Sequence, residues 1–347
     1  MPKEPDSKAL HTSFQSRHRR PLIFLAVCAV LLATFAAISL GIGHYGLGMG
    51  RLFDTIAGKV VLAEEQLFVL TQIRIPRILS AILVGGALAA AGTAMQAVFR
   101  NPLVSPFVLG ISNGATLGAA IGIVYFNGMP WVTELLAFAF GLLAAGSAFV
   151  CSGMGRNTVT LLLFGMIVSS FAHALIGVMQ YLSDTDNRLP ALTFWMLGGL
   201  DGMSPEALAY AAPLVIICLA VLLVHANTLN LLSLGDRDAR LLGIKVFPSK
   251  SLLLCVSTLM VSTCTAKVGV IGWIGLIVPH ACRAMIGADN RLVLPLSIIL
   301  GGIFLLAADD LARVIVAGEL PVGILTALIG SPLFAILLWR NRHVAWN

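Results

Sequence analysis

Charge is scarce in this chain. Asp, Glu, Lys and Arg make up 11% of its 347 residues and hydrophobic residues 58%, with a mean hydropathy of +0.95. A soluble globular chain carries about 25% charged residues. Polar surface this sparse cannot clothe a water-soluble body of this size. The formal net charge is +6, but the basic residues are scattered at the ends of apolar runs and form no stripe, which excludes a nucleic-acid partner. The six cysteines, Cys28, Cys151, Cys218, Cys255, Cys264 and Cys282, contain no CxxC pair. They read as small buried hydrophobes, with neither a disulfide frame nor a metal site. No GxxxxGK[ST] phosphate loop occurs, and Gly153 to Thr158 (GMGRNT) is a short turn. HExxH, interfacial acidic pairs and a serine–histidine grouping are also missing, which argues against an enzyme. No ionisable residue falls at mid-span, where ion-driven carriers place one. His173 and His280 come nearest, and both read as packed or hydrogen-bonded side chains. An ion-coupled carrier or a channel is the competing class, but no carbonyl filter or ring of charges supports it.

What is present is a series of uncharged runs of about 20 residues, the length that crosses a bilayer as a helix. Residues 1–20 form a basic, cytoplasmic tail, read as disordered or interfacial, and Pro21 opens the first span at 21–43. That run is long and lacks a small-x-small cleavage site, so it is read as a retained span. Residues 44–73 read as an interfacial loop with one or two short helices. Further spans fall at 78–99, 108–126, 134–153, 159–182, 207–226, 251–266, 270–286, 292–312 and 321–339. The fold class is therefore an all-α polytopic membrane protein of about ten transmembrane helices with short interfacial helices. The transmembrane domain runs over 21–340, with a cytoplasmic tail at 341–347. Pro102, Pro106 and Gly110 make the entry to the third span non-helical, which is tolerated only inside protein. Gly114, Gly118 and Gly122 stand four apart and permit close helix packing. Residues 190–200 are too short to cross and form an interfacial helix, with Trp195 at headgroup depth. Pro279 is expected to kink or interrupt the eighth span.

Leu232 to Lys250 (LSLGDRDARLLGIKVFPSK) is the only long polar interruption in the second half. Ten spans put both termini on one side. Assigning turns alternately places 15 of the 22 Lys and Arg on the side that holds the termini and this shelf. The positive-inside rule makes that side cytoplasmic. Arg74, Arg77 and Arg313 stand at outer span ends against the trend.

Several motifs recur in a familiar order: RIPR at 74–77, GGALAAAGTAMQAVFRNPLVSPFVLGISNGA at 85–115, FWMLGGL at 194–200, LSLGDRDARLLG at 232–243, GWIGLIVPHACR at 272–283, LLAADDLAR at 305–313 and ELPVGILTALIGSPLF at 319–334. They are spread along nearly the whole chain after the tail. The chain resembles the FecCD permeases, the ten-span subunits of type II ABC importers for iron–siderophores, haem and vitamin B12. The resemblance implies a permease of the inner membrane that performs no chemistry and binds no cofactor itself. Its implied partners are a second permease copy, two cytoplasmic ATPases that bind ATP and Mg, a periplasmic or surface substrate-binding protein, and the lipid bilayer.

The resemblance also assigns roles to residues. Leu234, Gly235, Asp236, Ala239, Arg240, Leu242 and Gly243 match the cytoplasmic coupling helices that enter grooves on the ATPases, which places the coupling segment at 232–250. Arg74, Arg77 and Arg313 match outward arginines that meet acidic residues of the binding protein. Asn157 and Thr158 match the cytoplasmic gate, with Asn157 replacing a hydroxyl residue. Met166, Ser169, Ser170 and His173 fall on a span that lines the translocation path. A ferric siderophore is the first expectation for cargo, then haem, then vitamin B12 or an oxyanion.

Overall fold

In a computed structural model, residues 7–43, 48–155, 157–315 and 318–340 are described, and all their regular structure is helical. The first helix, α1 (Ser7–Ser39), runs unbroken through Pro21. The basic leader is thus helical from Ser7 and does not stand apart as a tail. The carbonyl that Pro21 leaves unbonded falls one turn earlier, in the polar leader, where water or lipid headgroups satisfy it. Two short helices, α2 (Met49–Ile56) and α3 (Glu64–Phe68), make up the expected interfacial loop. A π-turn at Val69–Arg74 then carries α3 into α4 (Ile75–Phe99), so the second span is one 36-residue helix from Glu64. It starts well before residue 78, because the RIPR motif continues the helix.

A 3-10 turn at Pro106–Leu109 is the non-helical entry expected before α5 (Ile111–Tyr125). Then follow α6 (Pro130–Cys151), α7 (Thr158–Leu182), the short α8 (Arg188–Leu197) and α9 (Pro205–Val224). The polar shelf is two small helices, α10 (Ala226–Ser233) and α11 (Asp236–Leu241). Four helices finish the chain: α12 (Val246–Val268), α13 (Ile274–Ile286), α14 (Asn290–Ile315) and α15 (Val322–Arg340). Pro279 lies inside α13 without ending it. The interruption comes earlier, at residues 269–273, where Gly269 and Trp273 both take a φ of 69°. A Cβ on Gly269 would lie 2.3 Å from the carbonyl oxygen of Trp195, so α8 presses directly on this break.

Among the described residues, eight helices are long and apolar enough to cross a membrane. The third and eighth spans of the sequence reading correspond to α5 and α13, which are only 15 and 13 residues long. The centre of the bundle is α4. Its apolar window is 83% buried, against 22% for α7, α9 and α15 and 11% for α1. It packs against α9, α10, α12, α13 and α14, while α5 and α6 form a hairpin against α7 and α12. Four of the cysteines, Cys28, Cys218, Cys264 and Cys282, are buried, and all six are unpaired.

Small residues let these helices meet. Lipid is as apolar as a side chain, so helix association in a bilayer leans on close packing more than on the hydrophobic effect. The Gly114–Gly118–Gly122 stripe faces α6: Cβ atoms there would fall 2.6 Å from the Phe140 oxygen, 2.1 Å from the Leu136 oxygen and 2.7 Å from the Thr133 Cα. At the α4–α13 crossing a Cβ on Gly92 would sit 1.8 Å from the Gly275 oxygen.

Gly118→Ala should therefore lower stability by about 1–3 kcal/mol through overpacking. Gly146 has open space around it, and Gly146→Ala should be neutral or mildly stabilising through its backbone effect. Thermal midpoints of the two variants in detergent decide the point; equal midpoints would remove the packing role of the stripe.

Candidate functional site

Three places carry the polar chemistry: a charge cluster at one end of the bundle, the shelf at the other, and one face of α7.

The charge cluster gathers the arginines of RIPR and of the LLAADDLAR motif. Arg74, Arg77 and Arg313 are 3%, 5% and 4% exposed. All three side chains are turned into protein. Asp309 is fully buried and receives Arg77 through Nε and Nη2 at 2.9 Å and Arg313 through Nε at 3.2 Å. Asp310 pairs with Arg313 and accepts the Ser39 hydroxyl at 2.6 Å. Glu319 takes Arg77 Nη1 at 2.8 Å. Arg74 donates to the Leu40 carbonyl and Arg313 to that of Ile42. These carbonyls follow the C-terminus of α1, where a helix leaves acceptors unsatisfied and favours cations. Arg77 and Arg313 thus meet three carboxylates while Arg74 meets a backbone carbonyl, and the cluster ties α1, α4 and α14 together. Burial makes the opposite charges compulsory, since a guanidinium stranded in a dry interior costs several kcal/mol.

On the shelf, Gly235 at φ 118° opens α11 and Gly243 at φ 86° closes it. Ala239 is buried against the bundle, whereas Arg237, Asp238, Arg240 and the side chains of Leu234, Leu241 and Leu242 are exposed. The exposed face is therefore apolar with a charged rim. Asp236 points back and grips the buried Lys250 of α12 at 2.7 Å. Nearby, Asn230 of α10 donates to Asp289 at 2.6 Å and accepts the Asn290 N–H at 2.7 Å. Partial burial pushes the Asp289 carboxyl up, but the Asn230 amide and the Arg291 N–H and guanidinium outweigh it and hold it below the usual carboxylate range. Arg283 of α13 reaches inward to Gln96 and to the Thr93 carbonyl of α4.

The expected gate and path residues separate. Asn157 caps α7, its side-chain oxygen accepting the Val159 N–H at 2.9 Å; Arg156 beside it lies outside the described residues. Ser169 is held by Asn113 of α5, whose amide donates to its hydroxyl at 2.7 Å and its carbonyl at 3.1 Å. Met166, Ser170 and His173 are exposed on one face of α7. His280 is buried with its ring edge-on to Phe334, centroids 5.9 Å apart. Among the described residues no group of three or more His, Cys, Asp or Glu could hold a metal ion.

Sequence reasoning missed the counterions. Glu319 reads from sequence only as the start of the last run, and Lys250 as the end of the shelf. Their signal was position: each is a lone charge at the same membrane boundary as the opposite charge it binds.

The fold and these motifs have known counterparts. A family model described as the FecCD transport family matches residues 12–340. The chain is 37% identical over 331 residues to the molybdate import system permease protein MolB of Haemophilus influenzae, covering 94% of this chain and 98% of that protein. It is 38% identical to the hemin transport system permease protein HmuU of Yersinia pestis, covering 93% and 97%. A solved inward-facing structure of a metal-chelate type ABC transporter superposes with a TM-score of 0.84 at 36% identity, covering 91% of this chain and 99% of that one.

Removing the central counterion should unravel the cluster. Asp309→Asn removes the carboxylate that two buried guanidiniums share, leaving Arg77 only Glu319 and Arg313 only Asp310, and should cost about 3–5 kcal/mol. Asp184→Asn removes an exposed pair with Arg188 and should cost less than about 1 kcal/mol. The comparison is read as loss of monodisperse protein on heating in detergent; a fall no greater for Asp309→Asn would show that the cluster does not hold the fold.

Proposed function

The chain belongs to the FecCD transport family, and from that membership we infer that it is the permease subunit of an ABC importer for substrates of the iron-chelate, haem and cobalamin type. The carrying observation is end-to-end similarity: relatives named for molybdate and hemin match over more than nine tenths of both chains. Members of this family are transport subunits without catalysis. ATP hydrolysis accordingly falls to a separate partner that holds ATP and Mg, and cargo capture to a soluble binding protein.

The finer reading is ours. Ten crossings are completed by α5 and α13, each extended by its non-helical lead-in, the 3-10 turn before α5 and residues 269–273 before α13. Both termini and the shelf face the cytoplasm, as the distribution of Lys and Arg supports. Two copies of the chain form the path between them. The exposed apolar face of α11, with Leu234 and Leu242 beside Arg240, enters a groove on the ATPase. Gly235 and Gly243 let the chain turn into and out of that helix, and Ala239 seats it on the bundle. The Asp236–Lys250 pair then passes a push into α12. Arg74, Arg77 and Arg313 receive the binding protein on the outer side. Asn157 and Thr158 lie at the inner constriction.

Met166, Ser170 and His173 face the path, with Ser169 behind them. α7 carries no Asp, Glu, Lys or Arg from Thr158 to Leu182. A neutral face of this kind suits a bulky chelate that must slide without sticking. A ferric siderophore is the first reading of the cargo and haem the second, followed by vitamin B12 or an oxyanion.

Two experiments test this. Proteoliposomes holding the permease, its ATPase and its binding protein should take up ferric siderophore on ATP addition, in preference to haem, cobalamin or molybdate. Preference for another cargo would reassign it, and uptake without the ATPase would end the importer reading. Replacing Arg240 with Glu and Leu242 with Asp together should abolish co-purification of the ATPase or its transport-linked hydrolysis; retention of both would remove the role of α11.

A further inference from the structure

Glu319 is in an unusual position for the first acidic residue of the last span. Two hollows meet at its side chain. One, of about 50 Å³, is lined by Arg74, Arg77 and Arg313, with Gly43 at its edge and Glu319 as its acidic wall. The other, of about 590 Å³, opens beside it and is lined by Arg77, Trp195, Lys267 and Glu319. The Glu319 carboxylate, bonded to Arg77 at 2.8 Å, is thus a partition between the arginine hollow and the larger cavity.

The three carboxylates of the cluster are not equivalent. The side chains of Asp309 and Asp310 are 0% and 7% exposed, and both belong to α14. Glu319 is 40% exposed. It lies on the link between α14 and α15, and its φ of 51° is one that a non-glycine residue rarely adopts. Of the three, it can leave Arg77 for water without unfolding a helix. Asp309 would still neutralise Arg77 in part, so the guanidinium could accept a replacement carboxylate from outside.

We propose that Glu319 is a built-in competitor for the docking site: an acidic side chain of the binding protein displaces it from Arg77, and this exchange of ion pairs reports docking to the last span. The proposal rests on the reading of the three arginines as the docking site. The exchange has a path inward. Leu320 donates its N–H to the Ala312 carbonyl at 3.2 Å, and three residues later Gly323 donates to Gly198, also at 3.2 Å. A Cβ on Gly323 would lie 2.0 Å from the Leu197 oxygen, so the start of α15 is pressed against the end of α8. Movement of Glu319 therefore acts on two elements at once. Exchange also makes docking selective. A partner must supply a carboxylate placed well enough to outcompete one already held, and the apparent affinity is lowered by the fraction of permease in which Arg77 is already taken.

The test uses the full permease with its ATPase in nanodiscs, titrated with the soluble binding protein that supports its transport. Glu319→Gln removes the charge, and Glu319→Asn shortens the side chain while tolerating positive φ. Both should tighten docking by about tenfold at low salt. Both should also steepen its salt dependence, because docking would then add an ion pair where the wild type only swaps one. Arg77→Gln, and Arg77→Lys with its charge kept, should both weaken docking. If the Arg77 variants weaken docking while both Glu319 variants bind like the wild type or less tightly, the exchange is wrong and the docking site stands. If the Arg77 variants bind unchanged, the docking site itself falls, and the exchange with it.

Discussion

Asp309 holds Arg77 and Arg313 at the same time, and one end of the bundle is built on that double pairing. A carboxylate and a guanidinium removed from water each lose several kcal/mol of solvation, which their attraction recovers only in good geometry. The geometry here comes from three separate elements. Arg77 is on α4, Asp309 and Arg313 are on α14, and the carbonyls after α1 take the donors left over. None of these charges is tolerable unless the other elements are in place, so the cluster fixes a register between three helices that apolar packing alone leaves free to slide. This is the specifying use of buried charge, at a depth where lipid gives helices little reason to choose one partner over another.

Close packing and charge divide the work. Along the middle of α4 the ties are uncharged: glycine and alanine let α13 and α14 approach until backbone meets backbone, and Thr93 bonds Ser297 of α14 at 3.0 Å. At both ends of the bundle, where water begins, the ties become ionic. Arg77, Arg313 and the Lys267–Glu134 pair serve the end that holds the charge cluster. Lys250–Asp236 and Asn230–Asp289 serve the end that holds the shelf. Arg283 is the exception, a cation that reaches neutral acceptors on α4.

How much of this could be read from sequence follows from which signals are local. Helix length and hydropathy are local, so the long spans, the short α8 and the polar shelf were legible, as was the glycine stripe at 114, 118 and 122. The break before α13 was displaced, because Pro279 is a strong local signal while the real interruption needs Gly269 to meet the Trp195 carbonyl, 74 residues away. The start of α4 was misjudged for a similar reason: charge in RIPR reads as the edge of a span, yet Arg77 enters the protein to meet Asp309 and Glu319 and Arg74 to meet the Leu40 carbonyl. The exposure of a charge cannot be known until its counterion is located. Ser169 shows the same limit on a smaller scale, since nothing near it announces Asn113.

The placement of ion pairs on α12 bears on how a signal could cross. α12 holds Asp236 of the shelf through Lys250 near its first turn and Glu134 of α6 through Lys267 near its last. A helix of 23 residues spans about 34 Å at 1.5 Å per residue, so the two pairs lie at opposite ends of one stiff rod. Its middle is buried and presses on α4, α5, α6 and α9. A rod gripped ionically at both ends and packed along its length does not bend to absorb a push; it moves as a unit and takes its contacts with it. α7 and α15 are the opposite case, largely exposed and tied to the rest by few polar bonds. A push delivered at the shelf would pass through the rigid α4–α12–α14 centre and be expressed at the loosely held periphery, where Met166, Ser170 and His173 are exposed.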